Sequence, residues 1–215
     1  ALRVEHPRLV PEDSRVVFLV QRSEQRTDLY SAPDEGGTEP IELDAALGDS
    51  ASVHAFLVAP HGRQLVFLAS VPEHHALFSV PVDGSAGPVL LHESPAGSWP
   101  WPMRFSADGR VLGFLQDGGL HTVPSDGSAP ASFVMGTADP GFELAGDGSL
   151  VVFQRSAGLR ELFVAPTDGS STPRRLSAAN ERVQDFELAP GAVQAVYSAG
   201  RNSSSRFELY SVRID

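Results

Sequence analysis

The stretch "RFSADGRVLGFLQDGGLHTVPSDGSAP", Arg104 to Pro130, decides the fold of this chain. It contains short apolar runs separated by Asp-Gly turns, and no helical periodicity joins the runs. Asp-Gly favours a type I′ hairpin turn, because Gly adopts positive φ freely and Asp tolerates it. The stretch therefore predicts short antiparallel strands that pair with their chain neighbours.

The composition is typical of a turn-rich all-β protein. Its 215 residues include 20 Gly and 17 Pro, which favour many turns over long helices. The absence of Cys excludes a disulfide framework and thiolate metal sites. The net charge is -11 and all 16 basic residues are Arg, which argues against an electrostatically driven DNA or anionic-membrane binder unless the Arg residues are concentrated on one face. No run approaches the roughly 18 apolar residues of a membrane span.

Two landmarks repeat five times along the chain. The first is an apolar run ending in an aromatic residue, and the second is a Leu that begins "LYSAP", "LFSVP", "LHTVP", "LFVAP" and "LYSVR". Both landmarks recur every 39 to 49 residues, which is the period of β-propeller blades. The aromatic landmarks are Phe18, Phe67, Phe114, Phe153 and Tyr197, and the Leu landmarks are Leu29, Leu77, Leu120, Leu162 and Leu209.

Each repeat divides into four strands, which predicts an all-β propeller of five blades with four antiparallel strands each. We expect one propeller domain over residues 1–215, with repeats at about 7–44, 56–93, 103–137, 142–178 and 186–215. The fifth repeat stops after its third strand, so the last blade is either incomplete or completed by the N-terminus. The only unassigned apolar segment is "ALRVEH", Ala1 to His6, and we expect it to supply part of the missing strand.

The repeats resemble the TolB-like propeller repeat, a WD40-like repeat with Asp-Gly turns. The resemblance covers nearly the whole chain and is carried best by "FSADGRVLGF" (Phe105 to Phe114), "FELAGDGSLVVF" (Phe142 to Phe153) and "ELFVAPTDGSSTPRRLS" (Glu161 to Ser177). It implies a bacterial, periplasmic or otherwise extracytoplasmic protein that binds a protein or peptide.

No catalytic motif is found in the sequence. There is no Gly-x-Ser-x-Gly nucleophile elbow, so we expect a non-catalytic protein-binding or scaffolding propeller without a cofactor. The alternative is the propeller portion of a larger enzyme or sensor, such as a peptidase, glycosidase or kinase, which gates or positions the active domain. The choice between them rests on analogy between folds.

The adjacent pair His74 and His75 is the obvious candidate for a metal site. Adjacent residues of an extended chain point to opposite faces and rarely share one ion, so we predict no metal site. His121 lies where other repeats have Tyr or Phe, which predicts a packed strand residue rather than a catalytic base.

The loops at one end of the predicted propeller are the best candidate binding face. They contain many of the Arg residues of a strongly acidic chain, and Arg side chains match carboxylates while Trp anchors interfaces. These residues favour an acidic partner. The alternative is that Arg occurs in long polar loops simply because such loops are exposed to solvent. The candidates are Arg22, Arg26, His75, Trp99, Trp101, Arg155, Arg160, Arg201 and Arg206.

The segment "GSWPWPM", Gly97 to Met103, allows two interpretations. Two exposed Trp residues flanked by Pro would indicate a binding partner, whereas a Trp wedged between blades would be structural, since large aromatics usually bury most of their surface.

The first strands also carry charges at equivalent positions. We expect these side chains to line the propeller channel at one level, with Arg104 and Glu143 paired and, if and only if five blades close into a ring, Arg8 and Glu187 paired as well; the charged positions are Arg8, Arg104, Glu143 and Glu187.

Overall fold

The fold is described from a computed structural model, which describes residues 3–189, 193–201 and 206–215. The chain divides into two compact units. The first comprises Ala1–Pro100 and Pro124–Pro130, and the second comprises Trp101–Val123 and Ala131–Asp215.

Five antiparallel sheets are formed by the described residues, and we call them blades 1 to 5 in chain order. The first unit holds blades 1 and 2. Blade 1 consists of β1 (Arg3–Val10), β2 (Arg15–Gln21), β3 (Thr27–Pro33) and β4 (Ile41–Glu42). Blade 2 consists of β5 (Ser52–Val58), β6 (Gln64–Val71), β7 (His74–Pro81) and β8 (Val89–Pro95). Two short 3-10 helices lie in this unit, at Pro11–Asp13 and Ala45–Leu47.

The second unit holds blades 3, 4 and 5. Blade 3 consists of β9 (Met103–Phe105), β10 (Val111–Gln116), β11 (Gly119–Pro124) and β12 (Ser132–Met135). Blade 4 consists of β13 (Ala138–Leu144), β14 (Leu150–Ala157), β15 (Leu159–Pro166) and β16 (Arg174–Arg175). Blade 5 has three strands within the described residues: β17 (Glu181–Leu188), β18 (Gln194–Arg201) and β19 (Glu208–Arg213). Among the described residues there is no helix with the length and apolar character needed to cross a membrane.

The predicted all-β propeller fold of five blades is confirmed, and the aromatic landmark has the same role in every blade. It stacks on the residue that follows the landmark Leu on the next strand. The ring centroids lie 6.0 Å apart for Phe18 and Tyr30 and 5.3 Å apart for Tyr197 and Tyr210. In blade 3 the partner is His121, stacked on Phe114 at 5.3 Å, so His121 is a packed strand residue as expected.

Every sheet has two faces, because side chains alternate along a strand. We call the face with the landmark Leu the Leu face, and the opposite one, with the stacked rings, the aromatic face. The landmark Leu is fully buried in blades 1 to 4 and 75% exposed in blade 5, where it is Leu209. The same residue at the same position of the repeat is therefore not equally buried in every blade.

The Asp-Gly turns differ from the prediction in one respect. Only Asp117–Gly118 has positive φ at both residues (50° and 77°), as a type I′ turn requires. At Asp147–Gly148 only the Gly has positive φ, and the Asp147 carboxylate accepts a hydrogen bond from the Ser149 N–H at 3.0 Å. This local bond favours a turn with the Asp at negative φ and Gly in the left-handed region. The type I′ prediction was therefore wrong for this turn, and also for Asp83–Gly84, Asp108–Gly109, Asp126–Gly127 and Asp168–Gly169, where again only the Gly has positive φ. The last repeat's "GAV" turn lies partly outside the described residues.

The N-terminal segment does not extend blade 5, contrary to the prediction. Within the described residues, Arg3, Val4 and Glu5 lie opposite Gln21, Val20 and Leu19 and so lengthen β1 of blade 1. Pairing with the next strand in the chain closes a short hairpin, which costs less conformational entropy than pairing across the chain. Ala1 and Leu2 lie outside the described residues.

Candidate functional site

The loop between β2 and β3 places two of the predicted Arg residues around one buried acid. Asp28 is 1% exposed, and its two carboxylate oxygens accept from Arg22 Nε at 2.8 Å and from Arg26 Nε at 2.7 Å. Glu42 lies 3.5 Å from Arg22 and 3.6 Å from Arg26. Both guanidinium groups are therefore engaged by acidic residues of their own blade.

Tyr30 completes this network beneath Arg22. The Arg22 guanidinium lies 5.5 Å from the centre of the Tyr30 ring, and the Tyr30 hydroxyl donates to Glu42. Burial, and then the carboxylate of Glu42, raise the pKa of Tyr30 to about 12. Tyr30 therefore remains a neutral hydrogen-bond donor throughout the neutral pH range.

Two predicted residues, His75 and Trp99, lie in a histidine–tryptophan cluster together with His54 and Ser70, which were not predicted from the sequence. The His75 ring stacks on Trp99 with a centroid distance of 3.9 Å, and His54 meets the edge of Trp99 at 4.8 Å. The Ser70 Oγ lies 2.6 Å from His54 Nε2 and 3.0 Å from His75 Nδ1. We call these four residues the His–Trp cluster.

The environment of His54 favours its neutral form. Burial, and then the charge of His75, lower the pKa of His54 below its usual value. The cluster thus combines an apolar indole with a hydroxyl and two imidazoles that accept or donate hydrogen bonds, which suits it to binding an amphipathic group.

His74 takes no part in the cluster. Its Nδ1 lies 3.0 Å from the carbonyl oxygen of Pro72, and its Nε2 lies 3.4 Å from Glu93. His74 and His75 have different partners, as expected of adjacent residues on a strand. Within the described part of the chain, there is no group of three or more metal-ligating side chains that could hold an ion.

Both Trp side chains are exposed. Trp99 is 42% exposed in the first unit and Trp101 is 55% exposed in the second, whereas a Trp wedged between blades would be largely buried. An indole on the surface is the usual anchor of a protein interface.

The remaining predicted Arg residues lie in the second unit, and three of them contact acids of their own blade. Arg155 lies 3.3 Å from Glu161 and 5.0 Å from the centre of the Phe163 ring. Arg160 lies 3.3 Å from Asp139. In blade 5, Arg201 lies 3.9 Å from the buried Glu181; Arg206 is exposed.

The acidic partners were not predicted from the sequence, although one signal was present. Asp28 and Glu161 both precede the landmark Leu, in "DLY" and "ELF", at a position that the repeat leaves free to vary. In both blades this acid meets an Arg that also lies over the aromatic ring after the Leu. An acid before the Leu, with an Arg shortly upstream, is therefore the pattern to look for.

The charges of the first strands share one register position but do not pair as predicted. Arg8, Arg104, Glu143 and Glu187 each lie opposite the residue before the aromatic landmark. However, Arg104 lies 5.9 Å from the centre of the Phe142 ring. Glu143 accepts a hydrogen bond from the Leu188 N–H at 2.9 Å. The Arg104–Glu143 ion pair is therefore not found among the described residues, because the Glu143 carboxylate instead accepts a hydrogen bond from a backbone N–H of the next blade.

Glu143 and Glu187 instead line a cleft on the Leu face of blade 5. Its volume is about 530 Å³, and Asp185 and the exposed Leu209 also line it. Three carboxylates around one exposed Leu make this cleft acidic.

Comparisons with known proteins show the fold. No family model matches the sequence, and the comparison with curated proteins finds no significant match. Among solved structures, oligopeptidase B from Leishmania major is 12% identical with a TM-score of 0.61, and the match covers 100% of this chain and 31% of that one. Oligogalacturonate lyase from Vibrio parahaemolyticus is 12% identical with a TM-score of 0.55, over 99% of this chain and 69% of that one.

TolB from Acinetobacter baumannii also matches, at 13% identity and a TM-score of 0.46, over 99% of this chain and 52% of that one. The chain thus spans less than two thirds of the length of the oligopeptidase and of this TolB. Together with the five repeated sheets, the likenesses to the oligopeptidase and the lyase show the fold that the repeats predicted, a β-propeller.

Proposed function

We propose that this propeller is a non-catalytic module that binds a protein or peptide, and that Trp99 of the His–Trp cluster is its anchor. The observation that carries the proposal is the 42% exposure of an indole whose one face is stacked on His75 at 3.9 Å. The stacking fixes the ring in one orientation, so that little conformational entropy is lost when a partner binds.

The chemistry of the cluster indicates the kind of partner. The indole offers apolar surface, while Ser70 and the two imidazoles offer hydrogen bonds beside it. A peptide segment with an apolar side chain next to a polar group matches both features.

An acidic partner remains part of the proposal at Arg26. This Arg contacts Asp49, whose side chain is 96% exposed, in addition to the buried Asp28. Exposed ion pairs contribute little stability, so a carboxylate of a partner can replace Asp49 without disturbing Asp28.

The experiment is a selection from a displayed library of random peptides on the intact chain. Peptides enriched on the wild type should bind the Trp99→Ala variant at least about tenfold more weakly, which corresponds to about 1.4 kcal/mol. The matched control is Phe133→Ala, which removes a 60% exposed aromatic outside the cluster and should leave binding unchanged. Failure to enrich any peptide, or equal binding to Trp99→Ala, would overturn the proposal.

The second candidate is the propeller portion of a larger enzyme or sensor. The observation that favours it is that the chain matches 31% of the length of oligopeptidase B, a protein named as a peptidase. A hydrolase or kinase segment in the same reading frame as this chain would support this candidate, and its absence from the full-length transcript would exclude it.

We further propose an extracytoplasmic, periplasmic location, supported by the resemblance of the repeats to the TolB-like propeller repeat. Fractionation of the cells that produce the protein tests this, and recovery in the cytoplasmic fraction would contradict it.

A further inference from the structure

The Leu face of blade 5 differs from the same face of the other blades. Leu209 is 75% exposed, whereas Leu29, Leu77, Leu120 and Leu162 are each 0% exposed. The position two residues later follows the same pattern. Ser211 is exposed, although its counterparts in blades 1 to 4 are buried.

Within each unit, the Leu face of a blade is covered by the aromatic face of the next blade. Leu162 of blade 4 shares a hydrophobic cluster with Val183 and Ala195 of blade 5. Leu120 of blade 3 shares one with Phe142 and Phe153 of blade 4.

The same arrangement occurs in the first unit, where Leu29 of blade 1 shares a cluster with Val53 and Phe67 of blade 2. Three independent examples thus define what a Leu face receives. In each example, the Leu face packs against the aromatic face of a neighbouring blade that is built from the same repeated pattern.

The aromatic face of blade 1 is the matching surface, because its part nearest β1 is exposed, although Val20 and Tyr30 on the same face are buried. Leu9 and Val4 lie opposite Val16 and Val20 on this face and are 71% and 60% exposed. The landmark Phe18 is half-buried here, whereas the aromatic landmark of every other blade is at most 5% exposed. Within the described residues, the Leu face of blade 5 is therefore exposed at Leu209 and the aromatic face of blade 1 is exposed at Val4 and Leu9.

We propose that two copies of this chain associate head to tail, with the Leu face of blade 5 of one copy docked on the aromatic face of blade 1 of the other. The two surfaces are different, so the contact is heterologous and leaves one free surface of each kind on a pair of chains. The proposal goes beyond the proposed function and does not involve the His–Trp cluster.

The acidic cleft beside Leu209 defines where the contact is centred. Asp185 and Glu187 flank Leu209 on the Leu face, so the Leu is an apolar point within a charged rim. Such an arrangement is typical of a reversible interface, in which the apolar centre excludes water and the rim stays solvated.

The experiment measures mass by sedimentation equilibrium over a range of protein concentrations. The wild type should form dimers or larger species as concentration rises, and Leu209→Glu and Leu9→Glu should each weaken self-association at least tenfold. Both side chains are exposed, so these substitutions should leave the fold intact, which circular dichroism checks. Leu159→Glu is the matched control, because Leu159 is 41% exposed in blade 4 and belongs to neither surface.

Mixing the two variants distinguishes this contact from a symmetric one. The Leu209→Glu chain keeps an intact blade 1 surface and the Leu9→Glu chain keeps an intact blade 5 surface, so their mixture should form a 1:1 dimer and nothing larger. A monomeric wild type at every concentration would overturn the proposal. So would either variant that still associates alone, since the contact would then be between identical surfaces.

Discussion

Replacing Asp44 with Ser should remove a pH dependence from the stability of blade 1. Asp44 is 4% exposed, and its Oδ1 accepts a hydrogen bond from the N–H of the landmark Leu29 at 2.9 Å. In blade 4 a hydroxyl accepts the equivalent hydrogen bond, since the N–H of the landmark Leu162 donates to Ser177 Oγ at 3.1 Å. The variant Asp44→Ser therefore keeps an acceptor and removes an ionisable group.

The magnitude follows from the pKa of Asp44, which burial raises from 3.8 to about 6 against the opposing hydrogen bond from Leu29. Between these two values the folded state binds the proton and the unfolded state does not, so the free energy of unfolding falls as pH rises. A difference of about two pKa units corresponds to about 2 to 3 kcal/mol, lost as the pH is raised from about 4 to above 6.

The assay is urea unfolding, followed by Trp fluorescence at pH values from about 4 to about 8. The wild type should lose about 2 to 3 kcal/mol more than Asp44→Ser across this range, so taking the difference cancels the titration of the seven His residues. Asp44→Ala is the control for the lost acceptor. It should be about 1 to 3 kcal/mol less stable than Asp44→Ser at every pH. Parallel pH profiles for the wild type and Asp44→Ser would refute the reasoning.

Two further pairs of substitutions test the packing of the blades. Leu162→Ala should lower the free energy of unfolding by about 2 to 5 kcal/mol because Leu162 is fully buried, whereas Leu209→Ala should change it by less than about 0.5 kcal/mol under conditions where the chain is monomeric. Equal losses in urea titrations would mean that Leu209 is covered. Gly148→Ala should cost at least about 1 kcal/mol, because φ is +71° and a Cβ would lie 2.8 Å from Val111 Cγ2. Gly87→Ala, with nothing within 4 Å of the added Cβ, should be tolerated, and a matching fall in melting temperature would contradict this.

The repeat could be predicted from the sequence because its landmarks are large apolar side chains at regular spacing. Phe153 and Leu162 are buried in the positions that the pattern indicates, and even the exception, His121, stacks as an aromatic residue would. Hydrophobic periodicity reports burial directly, so such positions are the most predictable part of a β-protein.

The candidate site was less predictable, since its chemistry depends on which polar groups meet in space. The sequence places Arg22 and Arg26 in a loop, but it does not show that the buried carboxylate of Asp28 lies between them. It likewise contains no signal that joins His54 to Trp99, which are separated by most of blade 2. Exposed loops tolerate many sequences, so their contacts leave little pattern to detect.

The strand order of the five sheets has a consequence for how the protein reaches its fold. Among the strands that the structure describes, each pairs only with the strand before it and the strand after it in its own blade. Each pairing therefore closes a loop of modest length. Because the entropic cost of loop closure rises with loop length, each step of pairing costs little. A chain built in this way can acquire its structure during synthesis, one blade after another as the segments leave the ribosome, without waiting for its C-terminus.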